Sequence, residues 1–206
     1  MSTENLPEAS MVDMVFPLAG RNLPRDHALG LLQAVQQEFD WLADEPLAGI
    51  HPIKLVQGSD SLALLSQRAR LLMRLPRRRR EAAHALGGRL LRIGSSEVCP
   101  GPPHVRELIA HATLYTPSVA APGDDEVVFM EAVTSELQAL GVRCHSVCGK
   151  RSRRQLQGRE ITTFSLMLHG LSAAHSLRVQ DHGLGPYRLL GCGIFVPHKS
   201  AAAVGD

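Results

Sequence analysis

The order in which strand-like and helix-like stretches follow one another constrains this chain more than any single motif. "MVDMVFPLAG" alternates as a strand does, with Val12, Met14 and Phe16 sharing one face. "LPRDHALGLLQAVQQEFDWL" reads as a helix. Pro24 suits its first turn, and Ala28, Leu31, Leu32, Val35, Phe39 and Leu42 make one apolar stripe. "GIHPIKLV" and "SLALLSQRARLLMRLP" read as strands, "RRRREAAHALGG" as a helix stopped at Gly87, and "RLLRIG" as a strand again. The order is β-α-β-β-α-β.

After the loop "CPGPPHV" the same order returns. "ELIAHATLYTPSV" is strand-like. "DDEVVFMEAVTSELQALG" is a helix with acids at its start, Phe129, Val133, Leu137 and Leu140 on one face, and Gly141 as its stop. "VRCHSVCGK" and "REITTFSLMLHG" are strands around a basic turn, "SAAHSLRVQDHG" is a short helix capped by Ser172, and "PYRLLGCGIFVPH" is a closing strand. The expected fold is α+β: two tandem ferredoxin-like (RRM-like) units, at 11–98 and 104–200, with a disordered N-terminus over 1–10 and a tail over 201–206.

Such sheets serve either RNA binding or small-molecule regulation, and charge separates the two. The net charge of +2 hides segregation. Arg68, Arg70, Arg74, Arg77, Arg78, Arg79, Arg80, Arg89 and Arg92 share their stretch with one acid, Glu81. Arg143, Lys150, Arg151, Arg153, Arg154 and Arg159 share theirs with none. Two local positive fields favour a phosphate-rich partner, whereas a regulatory small-ligand module has no need of them. Ordinary RRM stacking is not expected: Phe16 and Phe164 stand on candidate strands, but no RNP pattern occurs.

Other classes fall away. No apolar run reaches the length of a membrane span, and no secretory signal opens the chain, so a cytoplasmic location with reduced thiols is expected. Cys99, Cys144, Cys148 and Cys192 contain no CxxC pair, and zinc on Cys144, Cys148 and nearby histidines would be loosely spaced. No metal or cofactor is expected.

The last feature is glycine. Gly183, Gly185, Gly191 and Gly193 form two G-x-G pairs, five residues apart, around an apolar run. Glycine there removes side chains where something must come close: RNA phosphates to backbone N–H groups, or a tightly packed closing strand. This G-x-G-x5-G-x-G loop, with "FSLMLHGLS", "GLGPYRLLGCGIFVPHKS", "GIHPI" and "LPRDHALGLL", resembles the Cas-six family of CRISPR-associated endoribonucleases, in its Myxan-subtype branch. The resemblance runs from about Met11 to Ser200. It implies a metal-independent cut of CRISPR repeat RNA, with a stem-loop repeat as partner and other effector subunits as further partners. The ribose 2′-OH would attack the adjacent phosphate, leaving a 2′,3′-cyclic phosphate and a 5′-OH. A silent repeat-RNA-binding subunit is the alternative.

That chemistry needs a base for the 2′-OH, an acid for the 5′-oxygen and a cation or N–H donor for the phosphorane. Histidine is the natural base. His27, in the first turn of the first helix, would be kept neutral by the helix dipole, and His51 of "GIHPI" is the other candidate. Either one, or both together as base and acid, fits. Ser152 and Tyr187 are candidate assistants, and Lys54 a candidate phosphorane stabiliser. His182 and His198 flank the glycine loop and are candidate RNA contacts, while His84, His169 and His175 read as local structural residues. Arg77, Arg78, Arg79 and Arg80 at a helix start, and Lys150, Arg151, Arg153 and Arg154 in a turn, are the expected phosphate contacts, together with the four glycines.

Overall fold

The computed structural model describes residues 9–198 except 57, 60 and 157, with the side chain of 156 also left aside. The expectations for 1–8 and 199–206 therefore lie outside the described residues. The elements run β1 (Met11–Gly20), β2 (Asn22–Pro24), α1 (Ala28–Glu38), β3 (Gly49–Ile50), β4 (Leu62–Leu64), β5 (Arg70–Pro76), α2 (Arg80–Ala83), β6 (Leu91–Ile93), β7 (Ser96–Pro100) and β8 (His104–Glu107). The second half continues with β9 (Thr113–Ala120), α3 (Glu126–Ala139), β10 (His145–Leu156), β11 (Arg159–His169), α4 (Ala173–His182) and β12 (Val196–Pro197).

Two antiparallel sheets result. The first runs β3-β5-β1-β7-β6, with β8 also pairing β1, and the second β10-β11-β9-β12. In both, the first strand of the unit lies beside the third and takes the fourth on its other edge. That is the ferredoxin-like order expected from the repeated pattern. β2 and β4 form a separate small ribbon.

Each sheet buries one face under its helices. Val12, Met14 and Phe16 of β1 meet Leu31, Leu32 and Val35 of α1 in one core. Leu166 and Leu168 of β11 join Val133 and Leu137 of α3 in the other, where the Phe129 and Phe164 rings stack at 4.7 Å. Caps fix two of the helices. The Asp125 carboxylate accepts from Val127 and Val128 N–H, and Ser172 Oγ accepts from His175 N–H. Such caps contribute about 1 kcal/mol each.

Several boundaries differ from the sequence reading. Helix α1 starts at Ala28; Pro24 belongs to β2, so His27 is the N-cap rather than a first-turn residue. Only Gly49–Ile50 of "GIHPIKLV" forms strand, and "SLALLSQRARLLMRLP" is broken into β4 and β5. The loop "CPGPPHV" holds the end of β7 and the start of β8, and β8 pairs β1 at Val12↔Glu107 to Val15↔His104, so the first sheet extends past 104. The basic turn is not a turn. Residues 150–154 lie inside β10, and the closing strand shrinks to Val196–Pro197 after a 3₁₀ turn at Arg188–Leu190.

β1 is buried on both faces, which its alternation did not suggest. Met11, Asp13 and Val15 are covered as fully as Val12 and Met14, because the second unit packs against that side. Asp181 at the end of α4 accepts from Ser10 and Met11 N–H, and Arg74 of β5 donates to Gln180 O and Phe195 O.

Candidate functional site

His27 and His51 come together. They line one cleft with Arg25, Asp26, Pro52, Arg154 and the leucines Leu189 and Leu190. Each element delivers one piece. His27 precedes α1, His51 leaves β3 with its N–H bonded to Leu72 O, Arg154 comes from β10 of the second sheet, and the leucines come from the glycine-rich loop.

His27 Nδ1 lies 3.0 Å from Pro24 O. A carbonyl can only accept, so Nδ1 carries the proton and Nε2 keeps a lone pair. Burial pushes the His27 pKa below its usual value, against the hydrogen bonds to backbone carbonyls, and the nearby Arg154 adds to the lowering. The neutral ring is a base. His51 Nε2 lies 3.3 Å from Asp13 Oδ1. Burial again lowers its pKa, outweighing the Asp13 carboxylate, with Arg74 and Arg106 reinforcing the shift.

Asp13 is the residue that sequence reasoning missed. It is 1% exposed and holds His51, Arg74 and Arg106 at once, with Arg74 Nε at 2.9 Å and Arg106 Nη2 at 2.7 Å. Burial alone would raise its pKa; the hydrogen bond from His51 and the charge of Arg74 hold it well below the carboxylate range instead. The signal was present, since an acid in the middle of the apolar run "MVDMVF" must have partners to be buried.

Arg154 reaches the cleft because β10 carries a bulge. The register jumps between Cys148 (opposite Leu166) and Arg151 (opposite Phe164), so Gly149 and Lys150 share Ser165 as their counterpart. One extra residue inverts the alternation beyond it. Arg151 and Arg153 therefore project on the helix side, where Arg151 meets Asp124 O and Arg153 pairs with Asp124 and Glu160. Ser152 and Arg154 turn to the other face. A Cβ on Gly149 would displace Ser165 Oγ, which accepts from Lys150 N–H at the bulge. Among the described residues, Arg154 has only neutral acceptors: Ser118 Oγ, Cys192 Sγ and Leu190 O, at 3.4–3.6 Å. Lys150 N–H bonds Ser165 Oγ, away from the cleft.

The Arg77–Arg80 run is not brought to the cleft. Arg77 is bidentate to Glu107, Arg78 and Arg79 both clasp the buried Glu45, Arg79 also lies over the Trp41 ring at 4.9 Å, and Arg80 pairs with Glu81. In this run the charge is largely cancelled by acids, Glu45 and Glu107 arriving from elsewhere and Glu81 from its own helix.

The four glycines all have positive φ, and their N–H groups are bonded within the protein: Gly183 to Val179 O, Gly185 to Glu136 Oε2, Gly191 to Arg188 O and Gly193 to Ser118 O. Free N–H donors for phosphate are thus absent at these positions, which corrects that half of the expectation. What the loop approaches is the protein itself. A Cβ on Gly193 would sit 1.9 Å from Leu184 O, and one on Gly191 (φ 84°) 3.0 Å from Pro52, next to His51. Arg188 is buried beneath, its pKa pushed down to about 10 by burial.

The remaining candidates lie outside the cleft lining. Lys54 is exposed, Tyr187 packs on the first core with φ 68°, and His182 bonds Arg178 O at the end of α4. His84 lies in the 3₁₀ turn after α2, and His175 bonds Arg143. Cys144 and Cys148 pack against the second core, and burial raises both thiols. Among the described residues no group of three or more His, Cys, Asp or Glu is placed to hold a metal ion.

Two ferredoxin-like units clasped face to face, with a histidine cleft walled by a glycine-rich loop, define a class of double-domain proteins. Comparisons agree. The chain is similar to a solved structure described as a CRISPR-associated protein Cas6 (TM-score 0.68, 9% identity, 92% of this chain and 100% of that one). It is also similar to a RAMP protein described as binding different RNA substrates (TM-score 0.63, 13% identity, 89% and 98% covered). In sequence it is 33% identical over 194 residues to the CRISPR-associated endonuclease Cas6 of Myxococcus xanthus (strain DK1622), covering 94% of this chain and 84% of that protein. The Cas6 family model, described as Cas6 Crispr, matches residues 12–200. The chain belongs to the Cas6 family.

Proposed function

We propose that this protein is the endoribonuclease that cuts CRISPR repeat RNA in its precursor transcript, by 2′-OH attack and without a metal. The observation that carries the reading is the cleft where His27, His51 and Arg154 converge. His27 Nε2, left unprotonated by the Pro24 hydrogen bond, accepts the 2′-OH proton. The oxygen attacks the adjacent phosphorus, and Arg154 stabilises the charge that develops on the phosphorane. The departing 5′-oxygen takes its proton from solvent water, while His51, which burial keeps neutral and Asp13 holds through Nε2, lines the cleft beside it. The bond formed is O2′–P, the bond broken is P–O5′, and the products are a 2′,3′-cyclic phosphate and a 5′-OH.

Family membership and the relative described as an endonuclease support this reading. Its test is incubation of repeat RNA with the full chain in EDTA, alongside RNA carrying a 2′-deoxy nucleotide before the cut. Cleavage should persist in EDTA and vanish with the deoxy substrate. Cleavage of the deoxy RNA, or its loss in EDTA, would refute the mechanism. Binding without any cleavage would instead make the protein a guide-capping subunit.

A further inference from the structure

We propose that the uncovered half of the second sheet is a stacking platform for the unpaired RNA that leaves the cleft; this rests on the RNA reading above. Pairing sets which residues share that face. Val147, Met167, Tyr115 and Val196 form one row across β10, β11, β9 and β12, and His145, His169 and Thr113 form the next. Their neighbours Leu114, Leu166 and Leu168 point into the helix-side core, so these rows point away from the helices.

The upper part of this face is closed by the first unit. Thr163 is fully buried, Ile161 packs on the first core, and Arg154 reaches Leu190. The lower part is open. Val147 is 45% exposed, His145 and His198 are exposed, and Tyr115, Met167 and His169 are half-buried. Its rings are already arranged in pairs: His145 against His169 at 5.0 Å, and Tyr115 against His198 at 5.3 Å. β10 leads from Arg154 in the cleft to Val147 on the platform, a path of roughly 23 Å at strand rise.

Charge points to the same occupant. β9, β10 and β12 contain no acid, and the one acid of β11, Glu160, sits at the far end and is paired with Arg153. Flat rings and a thioether over a stretch of sheet without carboxylates suit bases joined by phosphates, since base–aromatic stacking is sequence-tolerant and a ferredoxin-like sheet presents its central strands for it. Phe16 and Phe164 are buried in the cores, and Tyr115 on β9, a central strand, takes the place of an outward-facing ring.

The test is fluorescence anisotropy of a short labelled oligoadenylate with the full chain. Tyr115→Leu keeps bulk without a ring, and Tyr115→Phe keeps the ring. Leucine should weaken binding about tenfold at an unchanged melting temperature, phenylalanine should bind like the parent, and His145→Ala with His169→Ala should weaken it further. No binding by the parent, or equal binding by the leucine and phenylalanine variants, overturns the platform. A repeat hairpin trimmed of its flanks is followed in parallel. Its cleavage by all variants would leave the endonuclease reading intact whatever the oligoadenylate does, and its failure with the parent would refute that reading and not the platform.

Discussion

The arginine run at Arg77–Arg80 and the basic stretch at Lys150–Arg154 carry the same formal charge and end in opposite circumstances. The first forms a turn of helix on the surface, where Glu45, Glu81 and Glu107 meet it one by one. The second lies in a strand, and a bulge deals its residues alternately to two faces, so that Arg154 alone lines the cleft. Charge counted along a chain says little about field in space; the partners of each guanidinium and the phase of its strand decide that. A salt-bridged arginine supports the fold, and one held by neutral acceptors is available to a phosphate.

The sharpest way to break this contrast is to remove one arginine from each region. Arg154→Ala should lower single-turnover cleavage by about 10²–10³-fold, the cost of losing a donor to a developing oxyanion, with little change in melting temperature. If cleavage stays within a few-fold, Arg154 is not the phosphorane partner. The double variant Arg78→Ala/Arg79→Ala should do the reverse. It strands Glu45, 3% exposed, and should cost roughly 3 kcal/mol of stability, with cleavage by the folded protein unchanged. Adding Glu45→Gln should restore most of that loss in a denaturant titration. If it does not, the run has a role beyond pairing.

A smaller effect sharpens the comparison at the cleft. Both histidines have pKa values lowered from 6.5 by burial, so the neutral base survives below that pH. The acid limb of the cleavage profile should fall below 6.5; a midpoint at or above it would remove His27 as the base. The same shifts bear on folding. The unfolded chain binds protons that the native histidines resist, so stability declines as pH drops below 6.5. Asp13 adds to the decline below 3.8, because its native carboxylate is held ionised and its stabilising effect is lost as pH falls toward its lowered pKa.

The fold was legible because the two long helices each carry an apolar stripe, and because the element order repeats. Strands interrupted by proline and glycine were not. Pro100, Gly101, Pro102 and Pro103 look like a linker, yet β7 ends at Pro100 and Gly101 N–H bonds Pro17 O. The composition of "GKRSRRQLQGR" mimics a turn, although only its end turns; hairpin pairing with β11 holds the rest extended. At the site, the histidines could be named from their positions. The choice of Arg154 could not, since it depends on a register jump that no local pattern announces. Asp13 was readable in principle, as a buried acid implies cations, but its partners Arg74 and Arg106 lie 61 and 93 residues away.

Arg74 has one more consequence. Its guanidinium holds Asp13 on one side and the Gln180 and Phe195 carbonyls on the other, all nearly sealed from water. A cut between the halves would strip two acceptors from a buried cation and leave it in a half-empty seat. The repeat in this chain is therefore not modular: neither ferredoxin-like half is an independent building block, and a substrate must enter a cleft whose walls are already bolted together.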